Sequence, residues 1–144
     1  MIHYKMILKK IFGLLKDDGL LLISLPVIGF AWSYYRVHWV QLDPPRHFYV
    51  HTPKSFQILS NKAGLNIVNV NYNSNSWQFV GSELNRRNIC EKDLNGGKIK
   101  LSLLFTELEI SSFRKKALSL NKNGNGDQAL FFLQKAKTDT ILDS

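Results

Sequence analysis

The segment LLLISLP, residues 20–26, is an apolar run without alternation, and it restricts the possible folds more than any other part of the chain. A strand wetted on one face alternates polar with apolar residues, so an unbroken run is expected to be covered on both faces, as in a parallel sheet. Ahead of it Ile7, Leu8, Ile11, Leu14 and Leu15 recur at i, i+1, i+4, i+7 and i+8 with lysines between them, the stripe of an amphipathic helix. KDDG closes that helix, with Gly19 suited to the left-handed position past the last turn. Helix, tight turn and buried strand make half of an α/β repeat.

A second unit comes after it. Thr52 and Pro53 form a strong helix start, a capping hydroxyl followed by the residue that loses nothing at the first helical position. Phe56, Leu59 and Ala63 give the helix its inner stripe and Gly64 its stop. LNIVNVNYN then alternates Ile67, Val68, Val70 and Tyr72 with asparagines, which predicts a strand with one face partly wet. Two such units argue a doubly wound α/β sheet. A polar connection with NSNS, NRRN and NGG comes next, and its periodicity defines no element. A helical stripe returns from Lys100 to about Leu120 through Leu101, Leu104, Phe105, Leu108 and Phe113; NKNGNGD reads as a turn and QALFFLQKA as a final strand. The expected single domain of 1–144 thus divides into helix and strand (1–26), a loop (27–51), helix and strand (52–72), the polar connection (73–99), and helix and final strand (100–137).

Composition removes several classes. At 44% hydrophobic residues the chain has material for a core and is no disordered tail. One cysteine, Cys90, allows neither an internal disulfide nor a multi-cysteine metal site and fits a cytoplasmic chain, with Cys90 itself read as a lone thiol in a polar loop. The net charge of +8 suits an anionic partner, but the lysines are scattered. Lys9, Lys10 and Lys16 lie on the polar side of the first helix, and Arg114, Lys115 and Lys116 on the last. No helix-turn-helix, zinc or RNP pattern accompanies them, so specific nucleic-acid binding is not expected. Charges interrupt every apolar run of the N-terminus, which excludes a signal peptide reading. LLLISLPVIGFAW carries a proline and falls short of the roughly 20 residues needed to span a bilayer.

Ligands of open α/β sheets sit beyond the carboxyl ends of the strands, where the first strand releases the chain into FAWSYYRVHWVQLDPPRH. This loop offers aromatic walls in Trp32, Tyr34, Tyr35 and Trp39 and polar groups in Arg36, Asp43, Arg46 and His47, stiffened by Pro44 and Pro45. His47 has two readings, a general base titrating near neutrality or a clamp on backbone carbonyls. Asp43 and Arg46 are expected to pair with each other. His38 and His51 are weaker candidates, and four histidines without ligand spacing give no zinc site. A glycine-rich nucleotide turn is also absent: Gly124 and Gly126 follow a helix and precede a strand, the reverse of what that fingerprint requires.

LKKIFGLLKDDGLLLISLP, an aromatic segment, and LDPPRHFYVHTPKSFQILSNKAGLNIV together resemble the second half of class I S-adenosylmethionine-dependent methyltransferases, the group often labelled methyltransferase type 11, 12 or 23. NKNGNGDQALFFLQKA looks like that group's last hairpin, and the resemblance is strongest from Ile7 to Val70. It implies a partial Rossmann-like fold made of the fifth to seventh strands (LLLISLP, NIVNVNY and ALFFLQK) with flanking helices and an antiparallel last strand. It also implies that the match begins past the motifs holding S-adenosylmethionine, so the cofactor-binding first half is missing and no cofactor-binding residue is expected here. The loop from Trp32 to His47 would then wall the acceptor site, with Tyr35, Arg36, Trp39 and Arg46 contacting a small-molecule or saccharide-like acceptor and His47 the candidate base. A half-site that cannot hold the methyl donor should be inactive alone, since methyl transfer depends on positioning. The flank of LLLISLP would be an unpaired edge, open to aggregation, homo-oligomerisation or complementation by a separate N-terminal half. The alternative is non-enzymatic: a remnant or subunit that complements such a half or binds an anionic surface.

Overall fold

Helix α1 (Ile2–Leu14) precedes strand β1 (Leu21–Pro26) in a computed structural model that describes residues 2–136. Met1 and residues 137–144, including the last residue of the expected 100–137 unit, lie outside the described residues. The order continues with α2 (Phe30–Tyr35), 3-10 turns at Arg36–His38 and Val40–Leu42, α3 (Pro53–Asn61), β2 (Leu65–Tyr72), α4 (Trp77–Arg86) and α5 (Glu91–Asn95). A 3-10 turn at Leu101–Leu103, helix α6 (Glu107–Lys122) and strand β3 (Gln128–Lys135) complete it.

The three strands form one sheet in the order β1-β3-β2. β3 is antiparallel to both neighbours, with Leu21 opposite Leu133 and Pro26 opposite Gln128 on one side, and Leu65 opposite Lys135 and Tyr72 opposite Ala129 on the other. β1 and β2 therefore run the same way but are separated by β3, so the expected parallel pairing does not occur among the described residues. One face of the sheet packs against α1 and α3. Ala129, Phe131 and Leu133 of β3, Leu21, Ile23 and Leu25 of β1, and Ile67, Val70 and Tyr72 of β2 meet Leu8, Phe12, Phe56, Leu59 and Ala63. Full burial, as at Phe56, Phe131 and Leu133, contributes about 1.5–3 kcal/mol per side chain.

Among the described residues the opposite face is largely open, which corrects the reading of LLLISLP as covered on both sides. Burial alternates along β1, and Leu20 and Leu22 are 48% and 50% exposed. Both packed helices approach from one side, so the outward residues of β1 lack the second layer that an unbroken apolar run normally implies. In β2 an irregularity between Ile67 and Asn69 absorbs the adjacent pair Ile67 and Val68, turning Ile67 inward and leaving Val68 exposed.

Local signals set α3. Thr52 Oγ1 accepts the Ser55 N–H at 3.0 Å, Ser55 Oγ accepts the Thr52 N–H at 3.0 Å, and Pro53 opens the first turn. Gly64 ends it in the left-handed region at φ 82°. Gly19 does not take that conformation. It closes a turn on Lys16, and a β-carbon there would meet Leu15 Cδ1 at 2.8 Å, so close approach is what favours glycine.

Two further corrections concern the second half. The polar connection contains α4 and α5, and the last helix begins at Glu107 instead of Lys100. Thr106 caps it, accepting the Glu109 N–H at 3.2 Å while the Glu109 carboxylate accepts the Thr106 N–H at 2.7 Å. Leu101, Leu104 and Phe105 precede this helix, and Leu108 is exposed. Beyond the sheet α2, α4 and α6 share a second core, in which Ala31, Tyr35, Trp39, Phe79 and Ala117 are buried. A third cluster of Val80, Leu84 and Phe105 joins it through Phe113.

Candidate functional site

β1 and β2 deliver the chain at their carboxyl ends into α2 and α4, and the site lies between the two segments that leave these strands. Past β1 the Val27 N–H donates to the Asp127 carbonyl at 2.9 Å and the Ile28 N–H to the His51 carbonyl at 2.9 Å. Gly29, which leads into α2, lies so close to the Gly126 backbone that no β-carbon could be placed on it.

After α2 the backbone takes two conformations rare for L-residues, at Arg36 (φ 53°, ψ −123°) and Asp43 (φ 31°, ψ 58°). Such positions cost about 1–3 kcal/mol each and persist only where surrounding contacts over-determine them. Here the contacts come from three directions. The Val40 N–H donates to Ser82 Oγ at 3.0 Å, with Ser82 fully buried in α4. Asn85 Nδ2, also on α4, donates to the His38 carbonyl at 3.2 Å. The Trp39 indole N–H donates to Asp127 Oδ2 at 2.9 Å, and the Trp39 ring meets Trp32 edge to face with centroids 6.1 Å apart.

The loop thus pinned forms one wall of a cavity of about 620 Å³, lined by Val37, Trp39, Val40, Gln41, Leu42, Asp43, Pro44 and Arg46. Trp77 and Asn85 of α4 together with Cys90, Glu91 and Lys92 make the other wall. Its charges are mixed. Arg46 pairs with Asp43 at 3.0 Å on the loop side, and Glu91 and Lys92 supply one charge of each sign at the start of α5. A small molecule carrying both signs of charge, or several hydroxyls, would find complementary groups there.

Of the residues singled out in the sequence, Trp39 and Arg46 line this cavity, and Asp43 makes the expected pair with Arg46. Tyr35 does not line it. The side chain is 4% exposed, and burial first, then the neighbouring Glu83 carboxylate, pushes the phenol well above its ordinary range. The Arg86 guanidinium lies 5.6 Å from the Tyr35 ring and 5.5 Å from that of Tyr34. Arg36 is exposed at the end of α2, outside the cavity lining. His47 is half-buried, its N–H directed at the Asp43 carbonyl at 3.4 Å, and its ring is likewise outside the lining. His51 Nδ1 lies 3.2 Å from Ser55 Oγ, and burial holds its imidazole below the usual range.

Sequence reasoning missed Ser82, Asn85, Trp77 and Asp127. The first three belong to α4, whose stripe Trp77, Val80 and Leu84 was available but is interrupted by Gly81 and Ser82 and flanked by asparagines. Asp127 looks like an ordinary turn residue in NKNGNGD, and nothing local signals a partner 88 positions away.

The turn from β1 to α2 has one glycine, Gly29, and its backbone is packed against Gly126. The buried carboxylate nearest the strand ends, Asp127, is engaged by Trp39. No group of three or more histidine, cysteine, aspartate or glutamate side chains among the described residues could hold a metal ion. Nor is any helix among them long and apolar enough to cross a membrane.

No protein-family model matches the chain, and no curated protein matches its sequence. Solved structures do. A protein described as a sarcosine dimethylglycine methyltransferase from Galdieria sulphuraria aligns over 92% of this chain and 48% of its own at 12% identity, with a TM-score of 0.46. Phosphoethanolamine N-methyltransferase 2 of Haemonchus contortus, solved with phosphomonomethylethanolamine and S-adenosylhomocysteine, aligns over 92% of this chain and 30% of its own at 17% identity, with a TM-score of 0.41. The chain therefore spans less than half the length of either structure.

Proposed function

We propose that this chain is the acceptor-side part of a methyltransferase that uses S-adenosylmethionine, and that it is inactive without a cofactor-binding part. The observation that carries the reading is the cavity bounded by the 37–46 loop, α4 and the start of α5. It lies past the carboxyl ends of β1 and β2, where an α/β sheet of this kind binds its ligands. The resemblance of LLLISLP and LDPPRHFYVHTPKS to the second half of class I methyltransferases agrees with that position. So does the antiparallel last strand.

Methyl transfer is an in-line displacement at carbon, and its catalysis is largely a matter of holding nucleophile and donor in line. In this reading Trp39 supplies a rigid apolar wall and Arg46 a cation for an anionic or hydroxylated acceptor. Tyr35 and Arg36 support the loop that presents them. His47, adjacent to Arg46 but with its ring outside the cavity lining, is the candidate base for an acceptor that extends past Arg46. S-adenosylmethionine would supply the methyl group from the complementing part.

Calorimetric titration of S-adenosylmethionine into the chain alone is expected to give no binding at millimolar cofactor. Supplying a class I cofactor-binding part, joined to the N-terminus of this chain or added to it, is expected to restore binding and transfer of a labelled methyl group. Micromolar binding by the chain alone would overturn the half-site argument. Neither binding nor transfer in the complemented mixture would overturn the methyltransferase reading itself.

A further inference from the structure

Asp127 is 1% exposed at the start of β3, and its Oδ2 accepts the Trp39 indole N–H at 2.9 Å. Trp39 is equally buried, so water is not an alternative partner for either group. A buried polar group left unpaired costs about 1–3 kcal/mol. Asp127 also joins the ends of the other two strands. Its N–H donates to Ser74 Oγ at 2.7 Å, just past β2, and its carbonyl accepts the Val27 N–H at 2.9 Å, just past β1. Ser74 is fixed in turn by Asn121 of α6, which donates to the Ser74 carbonyl at 2.8 Å and accepts the Ser74 N–H at 3.1 Å.

The backbone part of this junction could be made by almost any residue. The carboxylate could not, and burying a carboxylate is a costlier choice than burying an amide or a methyl group. What it adds is a buried acceptor oxygen, able to make a charge-assisted bond when ionised, aimed at a single side chain in the cavity wall. Trp39 also opens the Trp39–Leu42 turn, whose residues all line the cavity.

We infer that Asp127 is a positioning residue for the cavity: by accepting the Trp39 indole proton it fixes the ring, and with it the wall formed by Trp39 to Leu42. The role is distinct from that of the groups lining the cavity and rests on reading the cavity as the acceptor site.

The test compares Asp127→Asn, which keeps an acceptor oxygen, with Asp127→Leu, which keeps volume and removes the acceptor. Nitrogen–proton NMR of the full chain resolves the indole signals of Trp32, Trp39 and Trp77. In the wild type and in Asp127→Asn the Trp39 indole proton is expected to be protected from exchange. In Asp127→Leu its signal is expected to shift and lose protection, and the amide signals of Val40, Gln41 and Leu42 to shift with it. An unmoved, still protected Trp39 indole in a folded Asp127→Leu chain would overturn the role. Should Asp127→Leu fail to fold, Trp39→Phe removes the donor while keeping a ring, and unmoved amides at Val40 to Leu42 would overturn the role equally. These signals are read without an acceptor. Failure of methyl transfer in the complemented mixture therefore counts against the acceptor-site reading and not against the positioning of Trp39.

Discussion

A carboxylate with 1% exposure makes the folded molecule respond to acid in a direction opposite to that of most proteins at this residue. Burial raises the Asp127 pKa above its ordinary 3.8, opposed in part by the bonds from Trp39 and Ser74. The folded state thus holds this proton more tightly than the unfolded chain does. Its contribution to stability is fully present below pH 3.8 and is lost as the pH rises through the raised folded value. Asp127→Asn removes that dependence while keeping an acceptor for Trp39. Urea unfolding between acidic and neutral pH should show the stability of Asp127→Asn relative to wild type rising with pH and levelling off above the folded pKa; a difference independent of pH would contradict the argument. Arg46 is the opposite case. Its pair with Asp43 is solvated, the side chains being 77% and 41% exposed. Such pairs contribute about 0–1 kcal/mol, so Arg46→Ala should leave the melting temperature nearly unchanged while weakening acceptor binding in the complemented mixture. Residues of this second kind were legible in the sequence, because LDPPRH concentrates charge and rings where a strand ends. Asp127 was not, because its meaning depends on a distant indole.

Elements whose ends are written in neighbouring residues were read well, and α3 is the clearest example. Thr52, Pro53 and Ser55 specify its start by local hydrogen bonds and a fixed φ, and Gly64 its end. Thr52→Ala should destabilise the chain by about 1 kcal/mol in chemical denaturation, with Thr52→Ser nearly neutral. α6 shows how the same reasoning fails. Leu101, Leu104 and Phe105 have helical spacing, yet they occupy a 3-10 turn and its exit, and the capping pair Thr106 and Glu109 marks the true start. Apolar spacing alone could not separate a helix from a turn that buries the same side chains. α4 was missed because its polar residues serve the loop instead of solvent. Ser82 is buried and accepts the Val40 N–H, so Ser82→Ala leaves that donor without its partner. The expected loss is about 1–3 kcal/mol, larger than at Thr52, together with shifted amide signals in the 39–42 turn; a loss no greater than that of Thr52→Ala would mean that the loop is held elsewhere.

Among the described residues the sheet has a covered side and an uncovered one. The sequence placed a strand at LLLISLP, but it could not say that both available helices would lie on the same face, and the expected burial on both sides fails for that reason. α1 and α3 cover Leu21, Ile23 and Leu25, leaving Leu20 and Leu22 on the other face. β1 also stands at the sheet margin, paired with β3 alone, so its outer backbone groups have no strand partner among the described residues. An apolar face beside an unpaired edge is a template for adding another strand. It is also where a complementing cofactor-binding part would attach in the proposed reading. One geometry thus gives two expectations: the isolated chain self-associates, and covering this region suppresses it. Leu22→Lys places a charge on that face at a half-exposed position, where the effect on folding should be within about 0.5 kcal/mol. Sedimentation velocity over a concentration series should show wild-type species growing with concentration and the Leu22→Lys chain held nearer to monomer, with unchanged far-ultraviolet dichroism. A wild-type chain that remains monomeric throughout would show that the β1 margin is already protected, and the attachment site would then have to be sought away from β1.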